Sequence, residues 1–226
     1  MRIRRLHGWE VTTEEARRLQ ESLAPRVRLE PLGFRPRYVA GADVSFERFG
    51  AEVFAAACVM DISNFSIIEE IAVRSRISFP YVPGLLSFRE APPVLEALEK
   101  LKCPADAVLL DGQGLAHPRF LGLACHIGLC VGIPTVGCAK SLLIGEYSEP
   151  GKERGATSPL KIEGRVVGAA LRTREGAKPV FVSPGHMSDI AGACALVMSC
   201  TRGYRIPEPI RRSHALANTA RREASK

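Results

Sequence analysis

The stretch Val108-Leu109-Leu110-Asp111-Gly112-Gln113-Gly114-Leu115-Ala116-His117-Pro118-Arg119 does most to limit the folds open to this chain. An apolar run stops at a carboxylate, glycines follow, and a proline sits where a helix could begin. The pattern predicts a buried strand over Ala107–Asp111 that delivers Asp111 to its carboxyl end. It also predicts a helix over about Pro118–Val131 whose free N–H groups face the same space. A carboxylate beside a helix N-terminus suits a divalent metal held against a phosphate. That pairing points to phosphodiester chemistry.

The surrounding pattern supplies a sheet for this strand. Thr12 and Glu15 have capping-box spacing and predict a helix to about Leu29. Three β-type runs follow, Tyr38–Phe46, Val53–Ile62 and Ser66–Arg74, with breaks around Phe49-Gly50 and Ser63-Asn64 short enough for antiparallel hairpins. Residues 79–90 read as a loop leading into a helix over about Pro92–Leu101. Strands are expected at Thr135–Gly137, Val166–Arg172 and Val180–Ser183, with a helix from Ser188 to about Thr201. Residues 148–164 read as an exposed excursion. The sum is one α/β domain over 1–226, a mixed sheet of a three-strand antiparallel meander plus parallel strands, flanked by helices.

Charge sharpens the functional reading. Residues 1–37 hold nine arginines against five acids, and residues 202–226 hold seven basic residues against two. The total of +7 therefore leaves a slightly acidic centre between arginine-rich ends. This suits metal-binding carboxylates flanked by phosphate-gripping arms, although a solvated arginine-biased surface gives the same count. Seven cysteines without a C-x-x-C pair read as small buried thiols. No apolar run has membrane length and no signal-peptide core is present, so the expected setting is the cytoplasm.

Asp43 interrupts the apolar run Tyr38-Val-Ala-Gly-Ala-Asp-Val-Ser-Phe46, where a lone acid is costly unless paired, coordinated or at a sheet end. Asp111 before glycine is also ordinary turn chemistry. Together, on a first and a fourth strand that lie side by side, they can meet on one metal. Glu90 reads either as a dipole-favoured acid at a helix start or as a third carboxylate. Hard oxygen ligands select Mg²⁺ or Mn²⁺. Phe79-Pro80-Tyr81-Val82-Pro83-Gly84-Leu85-Leu86 is stiffened by two prolines, and reads either as a rigid wedge for a base stack or as a loop packed under the meander. Neither a complete dinucleotide fingerprint, nor a P-loop, nor a G-x-S-x-G elbow exists.

Six ordered blocks resemble the endonuclease V, or deoxyinosine 3′-endonuclease, family: Tyr38–Phe46, Phe79–Glu90, Asp111–Arg119, Ile133–Ser141, Phe181–His186 and Arg205–Pro209. The resemblance implies a ribonuclease H-like fold and cleavage, dependent on Mg²⁺ with Mn²⁺ as substitute, at the second phosphodiester bond 3′ to hypoxanthine. It implies Asp43 and Asp111 as metal ligands and Glu90 as an accessory carboxylate. Pro80, Tyr81, Val82 and Pro83 would form the wedge, and Gly84, Leu86, Gly112 and Gly114 the backbone pocket for a flipped base, with His117 nearby. Lys140 would meet the phosphate or the leaving oxygen, and His214 would lie near the attacking water. His186 is left as a structural residue before the Ser188 helix. The expected partner is DNA carrying deoxyinosine, with inosine-containing RNA as a second substrate, and the expected state is a monomer. Two other readings stay open: a flap- or junction-selective nuclease of the same fold, and a non-catalytic binder of modified nucleic acid.

Overall fold

The computed structural model describes residues 1–47 and 51–224. Its centre is the expected meander: β1 (Tyr38–Phe46), β2 (Glu52–Asp61) and β3 (Ser66–Arg76) pair antiparallel. The β2–β3 turn at Ser63–Asn64 is held by side chains, with Asp61 Oδ1 accepting from the Ser63 N–H at 3.0 Å and Asn64 Oδ1 from the Ser66 N–H at 2.8 Å. The hairpin expected around Phe49-Gly50 lies outside the described residues. On the other side of β1, β4 (Ala107–Leu110) and then β5 (Thr135–Ala139) run parallel to it. Three further strands, β8 (Val180–Pro184), β7 (Arg165–Leu171) and β6 (Thr157–Ile162), complete the order β3-β2-β1-β4-β5-β8-β7-β6. These last three pair antiparallel rather than extending the parallel part.

Helices cover both faces. On one, α2 (Leu86–Lys100) and α3 (Leu123–Val131) bury Ala91, Val94, Leu98 and Ile127 against Ala40, Ala42, Val108 and Leu110. On the other, α4 (Ile190–Ser199) and α5 (Glu208–Ala224) bury Leu196, Val197 and Ile210 against Val39, Leu109 and Val182. The small residues of β1 have a purpose here. A Cβ on Gly41 would fall 2.2 Å from the backbone of Pro209, so glycine is what lets the first turn of α5 lie directly on the strand. The N-terminal helix α1 (Thr13–Leu23) has the expected capping box, Glu15 N–H to Thr12 Oγ1 at 3.2 Å and Thr12 N–H to Glu15 Oε2 at 2.8 Å.

Several boundaries differ from the sequence reading. α1 ends at Leu23, not Leu29, because Pro25 has no N–H to continue the ladder and the chain tightens into one 3₁₀ turn, Ala24–Arg26. α2 starts at Leu86 instead of Pro92 and carries Pro92 and Pro93 inside it; burial of Phe88, Ala91, Val94 and Leu98 outweighs the two lost donors. Glu90 therefore sits in the second turn of a helix and not at its dipole end. α3 starts at Leu123, since residues 118–122 are spent on turns that include Phe120 at φ 51°. The 148–164 excursion contains β6, an edge strand whose Pro159 is tolerated because one side of its backbone is unpaired. α5 was not foreseen. Among the described residues no helix is long and apolar enough to cross a membrane, and all seven cysteines are free thiols.

Candidate active site

The parallel register of β1 and β4 runs Val39 opposite Ala107 to Ala42 opposite Leu110. One further step sets Asp43 opposite Asp111, and register partners on parallel strands share a face. Glu90 reaches the same region from α2. The three carboxylates are close enough to act on one another's charge. Desolvation, followed by the charges of Asp43 and Asp111, pushes the Glu90 carboxyl up to about 8. Part of the Glu90 side chain stays open to solvent, but its carboxyl lies deep enough for burial to dominate. Asp43 is raised as well, by burial first and by the Asp111 charge second.

Two cationic or hydrogen-bonding groups answer this negative charge. Lys140, just beyond β5, donates from Nζ to Asp111 Oδ2. Burial pulls its pKa down, but the hydrogen bond to Asp111 and the charges of Asp111 and Asp43 together carry it above the ordinary lysine value. From α5, His214 Nδ1 lies 2.6 Å from Asp43 Oδ2. Its Nε2 is 3.0 Å from Asn218 Nδ2. The Asn218 amide is oriented by donating to the His214 carbonyl at 2.9 Å and accepting from Ser45 Oγ at 2.9 Å. Nδ1–H therefore donates to Asp43 and the Nε2 lone pair accepts from Asn218. In this arrangement His214 fixes the carboxylate and has no lone pair turned towards a water.

A cavity of about 330 Å³ opens beside Asp111 and Lys140. Tyr81, Val82, Pro83, Gly84 and Leu86 form one side, and Gly112, Gln113 and His117 another. Phe79 and Leu85 are buried with Phe88 and Ala16, anchoring both ends of the proline loop, while Tyr81 at its tip is 68 % exposed. The loop is thus rooted under the helices and free at its apex. Gly114 lies deeper: a Cβ there would fall 2.1 Å from the Pro184 carbonyl oxygen, and its N–H donates to Ser183 Oγ at 2.8 Å. A Cβ on Gly137 would likewise fall 2.5 Å from the Gly112 carbonyl oxygen. The turn after Asp111 is wedged between β5 and β8, not flexible. Its carbonyls at Gln113 and Gly114 accept from the Ala124 and Gly122 N–H groups, so these two amides hold the loop.

His117 lines the cavity, but both its nitrogens are engaged. Nδ1 accepts from the Arg119 N–H at 3.2 Å and Nε2–H donates to the Gly84 carbonyl at 3.0 Å. Burial and the Arg119 charge pull its pKa down to about 4, keeping the ring neutral. Gly84, at φ +76°, receives two more donors on that carbonyl: Arg119 Nη2 at 2.7 Å and Gln20 Nε2 at 3.1 Å. Gln20 is fully buried and also accepts from Arg119 Nε at 2.6 Å. Gln20, Arg119, Ser45 and Asn218 escaped the sequence reading. For Arg119 the signal was its place in the Asp111 block, whereas a glutamine or asparagine on a helix carries none.

Among the described residues no three Asp, Glu, His or Cys side chains already close around one point as a finished metal cage does. A hard divalent ion that keeps several waters needs only one or two carboxylates. Asp43 and Asp111, with Glu90 behind, fit such an ion: burial first and the neighbouring carboxylates second raise Asp43 and Glu90, and a dication would offset both costs.

A family model described as Endonuclease V matches residues 21–215. The chain belongs to the endonuclease V family. It is 49 % identical over 217 residues to endonuclease V of Methanothrix thermoacetophila, covering 96 % of each chain. The crystal structure of endonuclease V from Streptomyces avermitilis superposes with a TM-score of 0.93 at 45 % identity, covering 100 % of both chains. A Ciona intestinalis endonuclease V variant, bound to a 23-mer DNA containing an inosine followed by a ribo-adenosine, superposes with a TM-score of 0.85 at 26 % identity. It covers 95 % of this chain and 100 % of that one. The mixed sheet is accordingly the ribonuclease H-like sheet of endonuclease V.

Proposed function

We propose that this chain, acting as one endonuclease unit, recognises deoxyinosine in DNA and nicks the same strand at the second phosphodiester bond on its 3′ side, leaving 5′-phosphate and 3′-hydroxyl ends. The observation that carries the reading is the in-register pair Asp43 and Asp111 beside the cavity that Tyr81, Gly84 and Lys140 line. The Ciona relative with inosine-containing DNA supports the substrate class.

Asp43 and Asp111 would hold Mg²⁺, or Mn²⁺ in its place, with Glu90 as the accessory carboxylate. Such an ion lowers the pKa of a water and neutralises charge on the phosphate. The chain's own groups do the rest. His214 orients Asp43 through Nδ1–H, and Lys140 offers a fixed positive charge to the phosphate or the departing oxygen. Tyr81 on the rigid loop would fill the gap left by the flipped nucleotide, and Gly84, Leu86, Gly112 and Gly114 would present backbone to the base. Hypoxanthine has an O6 acceptor and an N1–H donor where adenine has the reverse, so fixed backbone groups discriminate between them.

With Mg²⁺, a duplex bearing one inosine is expected to be nicked one nucleotide beyond it while the unmodified duplex is spared. Asp43→Ala and Asp111→Ala are expected to lower cleavage by at least about a thousandfold and leave binding measurable. Equal cutting of flaps or junctions without inosine would overturn the reading in favour of a structure-selective nuclease. Binding without metal-dependent turnover would make the chain a silent binder. Matched DNA and RNA strands carrying one inosine decide which is the better substrate.

A further inference from the structure

The N-terminal arginines do not gather at the carboxylates. Arg4, Arg26 and Arg28 surround a separate cavity of about 290 Å³, with Gly132 and His186 in its lining. It lies at the opposite end of β5 from Lys140: the His186 carbonyl accepts from the N–H of Thr135, the first residue of β5, at 2.9 Å. Five residues of strand, about 16 Å, separate the two ends.

The cavity is built rather than incidental. The Met187 N–H donates to the Arg28 carbonyl at 2.8 Å, and the Arg28 N–H donates to His186 Nδ1 at 3.2 Å. Burial, reinforced by the charge of Arg28, holds the imidazole below its ordinary pKa and keeps it neutral, with the nearby Glu30 opposing and Arg4 adding to the effect. With Nδ1 accepting, the proton sits on Nε2. His186 is only 6 % exposed and lines the cavity, and among the described residues its Nε2 has no hydrogen-bond partner. Gly132, the left-handed cap that ends α3 at φ +68°, lies under the Arg4 guanidinium, 3.0 Å from where a Cβ would stand.

Among the described residues the Arg4 and Arg26 guanidinium groups have no ion pair, and Arg28 has only a loose 3.6 Å contact with Glu30. The C-terminus of α3 favours a nearby cation, which accounts for one arginine. It does not account for three guanidinium groups and an imidazole N–H converging on a space that no carboxylate lines.

We propose that this cavity is a phosphate-binding site, separate from the cutting centre, whose ligand is a phosphate oxyanion presented by a nucleic-acid backbone or by a free phosphate compound. The guanidinium forks hold the non-bridging oxygens and His186 Nε2–H supplies a further donor. The site does not depend on the inosine reading.

The test is a titration of the metal-free full chain followed through the His186 ring resonances, at constant pH and ionic strength. One arm adds inorganic pyrophosphate and the other an unmodified DNA duplex. A saturable shift in the wild type, weakened at least tenfold in Arg4→Ala/Arg26→Ala with melting temperature and inosine cleavage of a short substrate unchanged, is expected. A shift caused by the duplex and competed by pyrophosphate identifies backbone as the source; a shift with pyrophosphate alone identifies a free phosphate compound. An immobile His186 in both arms, or an equal shift in the double variant, overturns the proposal.

Discussion

The carbonyl of Gly84 is held by three donors, from His117, Arg119 and Gln20. An amide oxygen has two lone pairs, so three donors saturate this carbonyl and fix the orientation of its peptide. Gln20, on α1, also donates to the Leu121 carbonyl at 3.2 Å, which ties the arrangement to the segment leading into α3. Gln20→Leu strands the Leu121 carbonyl and the Arg119 Nε–H and takes one of three donors from the Gly84 carbonyl. The expected cost is about 1–3 kcal/mol of stability, read from denaturant unfolding. The preference for inosine over unmodified DNA is expected to fall about tenfold, the equivalent of about 1.4 kcal/mol of lost positioning. An unchanged preference would free Gly84 of any part in base selection. At this scale the sequence is legible where chemistry is costly. Asp43 and Asp111 stand out because a carboxylate at the end of a buried strand demands a reason. Gln20 and Asn218 do not, because their partners are backbone atoms and side chains far along the chain.

Among the elements, α5 is the most instructive. Its buried positions are Pro209, Ile210, Ser213 and Ala217. The helical spacing is there, but small and polar side chains make a weak apolar stripe. What makes it a packed helix is the counterpart surface, β1 with Gly41, which no reading of residues 202–226 alone can supply. The element also bears the chain of bonds from Ser45 through Asn218 and His214 to Asp43. Asn218→Ala releases Nε2 and the ring orientation. The rate of the bound complex is expected to fall about tenfold or more with KM nearly constant, measured by single-turnover cleavage. A change confined to KM would argue that His214 serves binding instead. The prolines of α2 carry a related lesson, since Pro92 suggested a helix start only because its packing was invisible.

For the molecule as a whole, the N-terminal strap matters more than charge counting suggests. His7 Nε2 lies 2.7 Å from Nε2 of the fully buried His126, whose Nδ1 is 3.1 Å from Ser87 Oγ on α2. Trp9 and Phe88 pack edge-on around the pair. Burial, with a smaller push from His7, drives His126 from 6.5 down to about 3. Between those values the unfolded chain binds a proton that the folded chain does not. Stability present above pH 6.5 is therefore lost as pH falls, by roughly 2 kcal/mol at pH 5 from this residue. Melting temperatures from pH 7.5 to 5 are expected to show the decline, and His126→Asn to flatten it. Equal slopes in both proteins would remove His126 from the account. The layered α/β architecture and the meander were readable because strand and helix periods alternate cleanly. The antiparallel return of β8, β7 and β6 was not, because strand direction depends on connections that periodicity does not describe.

The adjacency of β1 and β4 also has a consequence for the order in which the protein comes into being. Asp43 lies 68 residues before Asp111 and 171 before His214. During synthesis the first acid emerges early and must wait, exposed or loosely paired, until the strand that completes the pair is made. It then waits again for the helix that steadies it. A fragment that ends just before α5 holds both acids but lacks the histidine that bonds to Asp43. The contact between His214 and Asp43 forms only once α5 has been made.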